Sequence, residues 1–385
     1  MDFALLPVAA RADTRLVRAL VTVVICVLLV AAPAAAGPRL QLPALTRIAS
    51  KVTGLPAKSR PKVVVLGKAA MREEAVRLLD RDYPADQQAY DETLYRALGL
   101  LPDDQSLRPS LLRRANSTLG LYDAVRRTVY VRAGPAQRRT LLHELVHALQ
   151  DQTFGLRRLS PLRAGRRDAA LAGRAAVDGH AVFATTVRLG VARRVAANGT
   201  APLESFLALE AGFPTTTGMR FISTLQNLGG RRAIFTSLRR LPETTEQIFH
   251  IDAFLARAPA VPISLPTVIG KFGRERDDTF GELDVRALLA TFGVPRFDRA
   301  ASGWGGGRSG LYRDASGRPA VVLALDWDEA VDAAEWAQAV TAYVSRAFDA
   351  GGREIVFERS GVRTALVFGP SLAEATAIAQ QIVSS

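Results

Sequence analysis

The segment His143-Glu144-Leu145-Val146-His147 constrains this chain more than any other feature. On an α-helix, residues four apart project from one face, so both imidazoles point the same way. Two neutral imidazoles at that spacing can fill two tetrahedral positions on a Zn²⁺ ion, the cofactor expected here. Leu141, Leu142, Leu145, Val146 and Leu149 form one arc of the helix, suited to a core. His143, Glu144, His147, Gln150 and Asp151 form the other. The segment is therefore expected to be a helix between a packed core and a polar metal cleft. Glu144 lies about 100° round from His143, beside the metal rather than on it.

A catalytic zinc needs a third protein ligand and an open fourth position. No third histidine follows at short spacing, so carboxylates become candidates. The next helical stretch carries Asp178 and His180, two apart and about 200° apart on a helix, so at most one of them faces the metal. Arg174, four residues before Asp178, offers a plain surface ion pair instead. Asp151, four residues after His147, either fixes the tautomer of a ligand imidazole or is a solvated carboxylate near the helix end.

The first 36 residues stand apart. Arg11, Arg15 and Arg18 precede an uncharged run from Ala19 to Ala32, then Pro33 and three alanines. That order predicts a secretory signal peptide, with an uncleaved N-terminal membrane anchor as the rival, and either places the rest outside the cytoplasm. The single cysteine, Cys26, falls inside this segment, so the remainder must fold without disulfides. The segment holds three arginines and two aspartates, a net of one positive charge, so the remainder carries +12 of the chain's +13. Such a surface is either generally basic and solvated or suits an anionic membrane or cell-wall polymer. The basic residues are scattered without interleaved aromatics or a recognition motif, which argues against nucleic acid. No feature of the sequence specifies an oligomeric state.

Residues 37–60 hold Pro38, Pro43 and Pro56, with Pro61 just beyond, and read as a linker or a loosely packed start. Val63 to Leu66 is a short buried-strand signal, and helical patterns follow over Ala70–Asp80 and Asp86–Leu98. Leu119–Tyr122 and Thr128–Arg132 predict a hairpin just before the metal helix. Helical patterns run from Asp168 to Leu255, broken at Asn198-Gly199, Phe213-Pro214 and Gly229-Gly230. Beyond Pro295 the pattern alternates: strands at Ala320–Leu325, Glu354–Glu358 and Thr364–Phe368, helices at Glu329–Phe348 and Leu372–Val383. The expected fold class is α+β. A zincin-like domain over 61–294 has a mostly helical middle, and a small α/β subdomain occupies 295–385.

Several segments resemble exported zinc metallopeptidases of the gluzincin type. They are Gly120-Leu121-Tyr122-Asp123, Thr140 to Gln152 with its His-Glu-Leu-Val-His core, Leu241 to His250, Gly303-Trp304-Gly305-Gly306, and Trp327-Asp328-Glu329 with Asp332 and Glu335. The resemblance covers nearly all the chain after the leader, and its histidine segment is a metalloprotease signature. It implies hydrolysis of peptide bonds, with His143, His147 and Asp178 as metal ligands and Glu144 as the group moving the proton. Asp178-Gly179-His180 stands where the family usually has Glu-Gly-Asp, so the carboxylate is one methylene shorter. After Gly306 the family has Asp-Arg, and this chain has Gly307-Arg308. His250, four residues after Glu246, would by the same similarity steady the oxyanion, although Thr244 to Gln247 also reads as a simple capping box. The implied partner is an extended peptide or protein substrate laid along the hairpin. The alternatives are a catalytically degenerate zincin-like scaffold and a zinc amidase acting on cell-wall material.

Overall fold

The computed structural model describes residues 41–159, 162, 165–186, 201–348 and 354–384. The leader expected over 1–36 and the break at Asn198-Gly199 lie outside the described residues. Among the described residues no helix is long and apolar enough to cross a membrane.

Of the expected linker, 37–40 lie outside the described residues, and 42–53 form a packed helix. Helix α1 (Leu42–Thr53) starts with Pro43 in its first turn, where a missing N–H costs nothing. Leu45, Ala49 and Thr53, spaced by four, are buried against α5 and α6, both described below. Gly54 at φ 75° stops the helix, its N–H reaching Ser50 O at 2.7 Å. The local proline density hid this apolar stripe.

A three-stranded sheet follows, with β1 (Lys62–Leu66), β2 (Gly120–Asp123) and β3 (Thr128–Arg132) in the order β1-β3-β2. Strand β1 runs parallel to β3, and β2 and β3 form the expected antiparallel hairpin, leaving β2 at an edge. Between β1 and β2 lie α2 (Lys68–Asp82), α3 (Ala85–Ala97) and α4 (Arg108–Ser117). Asp123 ties the hairpin down: Arg77 and Arg81 of α2 donate to its two oxygens at 2.7 Å each, and Val125 N–H donates at 2.9 Å.

The helical middle holds α5 (Gln137–Phe154), α6 (Arg167–Thr186), α7 (Pro202–Gly212), α8 (Met219–Arg239), α9 (Glu246–Phe249) and α10 (Ile251–Ala256). Residues 214–218 make a wide turn between α7 and α8. Gly229 and Gly230 kink α8 where the sequence predicts a break, Gly230 being left-handed at φ 59°. The expected capping box forms only in part: Gln247 N–H donates to Thr244 Oγ1 at 3.2 Å, but Gln247 Oε1 reaches back to Glu243 N–H, at 2.9 Å, rather than to Thr244.

The last part is built on β4 (Val268–Ile269), β5 (Phe272–Thr279), β6 (Trp304–Arg313), β7 (Pro319–Trp327), β8 (Glu354–Ser360) and β9 (Arg363–Gly369). Its order is β4-β5-β6-β7-β9-β8, with every pair antiparallel. Helices α11 (Glu282–Thr291) and α12 (Phe297–Ala301) separate β5 from β6; α13 (Ala330–Ala347) follows β7, and α14 (Leu372–Ser384) ends the chain. Strand β7 alternates strictly. Val321, Leu323 and Leu325 join the main core with α3, α7, α11 and α13, while Ala320, Val322 and Ala324 face Ala375, Ile378 and Ile382 of α14.

A boundary at 295 would cut this sheet, because β4 and β5 belong to it. Strand β5 reads Phe-Gly-Arg-Glu-Arg-Asp-Asp-Thr and carries almost no apolar signal. Its charges are answered across space instead, Arg276 by Asp86 at 2.7 Å and Asp277 by Arg308. Residues 41–385 form one compact unit, mixed α+β, and its second sheet is wholly antiparallel, with β9 lying between β7 and β8.

Candidate metal centre

Helix α5 is buried along both arcs. Leu141, Leu145, Val146 and Leu149 pack inward, while Glu144, His147 and Gln150 are buried against α6 and the hairpin. Helix α6 crosses α5 and brings Asp178 to the histidines. That approach depends on Gly179, where an added Cβ would lie 2.4 Å from the carbonyl of Gly218. Gly218 in turn could not carry a Cβ, which would sit 2.3 Å from Ala175 O. The glycine between Asp178 and His180 is thus a packing requirement that sets the height of the carboxylate.

His147 Nε2 stands 3.2 Å from His143 Nε2 and 3.1 Å from Asp178 Oδ1. One donor atom from each of the three residues falls within 4.8 Å of the other two. The tautomer of His147 follows from its neighbour. Gln150 Nε2 donates to Val177 O at 2.9 Å and faces His180 Nδ1 at 2.9 Å, so Gln150 Oε1 is the atom turned to His147 Nδ1 at 2.8 Å. Nδ1 therefore carries a proton, and Nε2 is the atom turned to Asp178 and His143. Three donor atoms so placed could hold a metal ion. Burial works against a charge on His147, yet the Asp178 hydrogen bond and the charges of Asp178 and Glu144 lift its pKa to about 9. Burial opposes ionisation of Asp178 too, but His147, His143 and Arg174 hold its pKa below the ordinary value.

These residues line a cleft of about 640 Å³. Glu144 sits in its wall beside the edge strand. A Cβ at Gly120 would lie 2.3 Å from Thr140 Cγ2 and 3.1 Å from Glu144 Oε1, so β2 can run this close only with glycine there. Tyr122 closes the same wall, and Leu79 and Tyr83 stand at the end of α2.

Of the residues singled out in the sequence, His143, Glu144, His147 and Asp178 come together in the cleft. His180 is buried on the far side of Gln150. Asp151 turns away from the imidazoles, accepting from Tyr122 Oη at 2.8 Å and Leu156 N–H at 2.6 Å. Gln150 takes the tautomer-fixing place considered for Asp151. Its spacing of three from His147 is visible in the sequence, but the acid one residue later drew the assignment.

His250 does not line the cleft. Its Nε2 lies 3.0 Å from Glu282 Oε1 on α11, and that hydrogen bond raises its pKa. The oxyanion role expected for it is withdrawn, because α11 claims the ring that the spacing from Glu246 left free. The tryptophan segments are packing elements as well. Trp304 Nε1 donates to Phe280 O at 3.1 Å and Trp327 Nε1 to Thr364 Oγ1 at 3.1 Å. Gly307 also has a physical reason, since a Cβ there would lie 2.3 Å from Phe280 O.

A family of known sequence, described as a domain of unknown function (DUF8575), matches residues 267–379. That span covers β4 to most of α14 and includes none of the residues that line the cleft. No curated protein and no solved structure matches the chain.

Proposed function

We propose that this chain is a zinc-dependent peptidase of zincin type acting outside the cytoplasm. The observation that carries the reading is the His143–His147–Asp178 cluster. Ligands bound at about 2.0–2.1 Å around a tetrahedral ion lie about 3.3 Å from one another, and the 3.2 and 3.1 Å separations approach that value. Two imidazoles and one carboxylate also match the ligand set of hydrolytic zinc with an open position. Bound there, zinc would supply Lewis-acid polarisation of a carbonyl and a lowered pKa for the attacking water.

The chain's own groups provide the rest. Glu144 is placed to take the proton from the attacking water and return it to the leaving amine. Gln150 holds His147 in the tautomer whose Nε2 faces inward. The outer edge of β2, unpaired in the sheet and running past Glu144, can hold an extended peptide by backbone hydrogen bonds, which favours modest sequence selectivity. The gluzincin resemblance and the leader read from the sequence point the same way.

The reading is tested on the protein purified without residues 1–36. It requires hydrolysis of an unstructured protein substrate that stops with chelator and returns with zinc. Zinc-loaded protein that leaves such a substrate intact overturns it.

A further inference from the structure

We propose that Arg174 forms an anion subsite in the cleft and takes a carboxylate group of the substrate, an inference that rests on the peptidase reading above. Arg174 precedes Asp178 by one turn of α6, and both side chains line the cleft. An ion pair between them is the plain outcome at that spacing. It does not form. Asp178 pairs with His147, and Arg174 makes no hydrogen bond or ion pair among the described residues.

Yet Arg174 is not a freely solvated surface group. Burial lowers its pKa below the ordinary arginine value, with Asp82 and Asp178 opposing the shift. Arg174 is half-buried in the cleft, and a guanidinium in such a partly dry setting gains from an anion that answers it. Arg167, seven residues earlier on the same helix, shows the usual answer: Asp91, Glu210 and Asp284 all pair with it. Nothing comparable serves Arg174. Asp82 is engaged by Arg81 at 2.8 Å, and Asp178 would be occupied by the metal.

The guanidinium is therefore open to an anion from outside the chain. The planar fork of a guanidinium fits a carboxylate at two points, which selects this anion over a neutral amide. The cleft wall also carries Leu79, Leu156, Leu159 and Val177, alongside the charged Arg81, Asp82 and Arg157. The substrate class is a peptide bearing an apolar side chain and, within a residue or two of the cleaved bond, a carboxylate. That carboxylate is either the chain terminus or an Asp or Glu side chain.

Binding, rather than turnover, tests this. Three short leucine-containing peptidyl hydroxamates serve as probes: one ending in a free carboxylate, one ending in a carboxamide, and one ending in a carboxamide but carrying Glu. Calorimetry on the zinc-loaded protein should show at least one carboxylate probe binding about tenfold tighter than the plain carboxamide. Whichever carboxylate gains identifies the source. In Arg174→Met the preference should fall to within about twofold, and Arg174→Lys should keep part of it. Arg174→Met should also melt no lower than wild type, since it removes an unpaired cation rather than a structural contact. Equal binding of all three probes to wild type, or a preference that survives in Arg174→Met, overturns the proposal. Absent peptide hydrolysis with the carboxylate preference intact would sink the peptidase reading and leave the subsite standing.

Discussion

Gln150 Oε1 lies 2.8 Å from His147 Nδ1, and the same amide reaches Val177 O and His180 Nδ1 with its nitrogen. One neutral side chain therefore fixes the tautomer of a candidate ligand and clamps the helix that delivers the carboxylate. Second partners of this kind are commonly worth about 10–100-fold in metal affinity. Gln150→Leu should weaken zinc binding within that range, measured by competition with a chelating dye. Because buried His180 Nδ1 would lose its Gln150 partner and Val177 O its second one, the variant should also be less stable by about 1–3 kcal/mol. Unchanged zinc affinity would reduce Gln150 to a helix clamp.

Gly179→Ala tests the packing that sets Asp178. Its new methyl would fall 2.4 Å from the Gly218 carbonyl, and backbone cannot give way as a flexible side chain can. The expected loss of stability is about 1–3 kcal/mol or more, with zinc affinity falling as α6 shifts. A variant that melts like wild type would show that the two helices are freer to separate than their contact implies.

Glu144→Gln removes the proton acceptor and keeps the side-chain shape beside Gly120. Hydrolysis should fall to background while zinc remains bound, read by turnover and metal content on the same preparation. Normal turnover in this variant would remove Glu144 from the mechanism.

The metal helix was the most legible part of the chain, because spacing alone places two of its four histidines on one face. Helix α1 was legible in principle through Leu45, Ala49 and Thr53, and prolines masked it. Strand β5 was not, since its stability comes from charges matched to Asp86 and Arg308, far away in sequence. His250 shows the same limit from the other side. A spacing of four from Glu246 says which face a ring takes, but not that Glu282, thirty-two residues later, will meet it.

Stability should fall as pH rises from about 5.5 to 8. Burial, followed by the charges of Asp284 and Glu282, raises the pKa of Asp168 to about 7, although its hydrogen bonds to Thr245 pull the other way. Burial with the charges of Glu282 and Asp328 raises Glu246 to about 7. Both groups bind protons more tightly folded than unfolded, so the native state is favoured below the ordinary carboxylate pKa and loses ground up to pH 7. His147, raised to about 9, loses its contribution above pH 6.5 in the same direction for the metal-free protein. Urea midpoints of metal-free protein at the two pH values measure this, and Asp168→Asn should flatten the slope. A midpoint that rises with pH would contradict it.

Zinc content per chain under submicromolar free zinc, compared among wild type, Asp178→Ala and His180→Ala, tests the whole account most directly. Asp178 stands 3.1 Å from His147 Nε2, whereas His180 is held behind Gln150. The account predicts one zinc per wild-type chain, retained in His180→Ala and largely lost in Asp178→Ala. A wild-type chain without zinc, or the reverse pattern in the two variants, would contradict it.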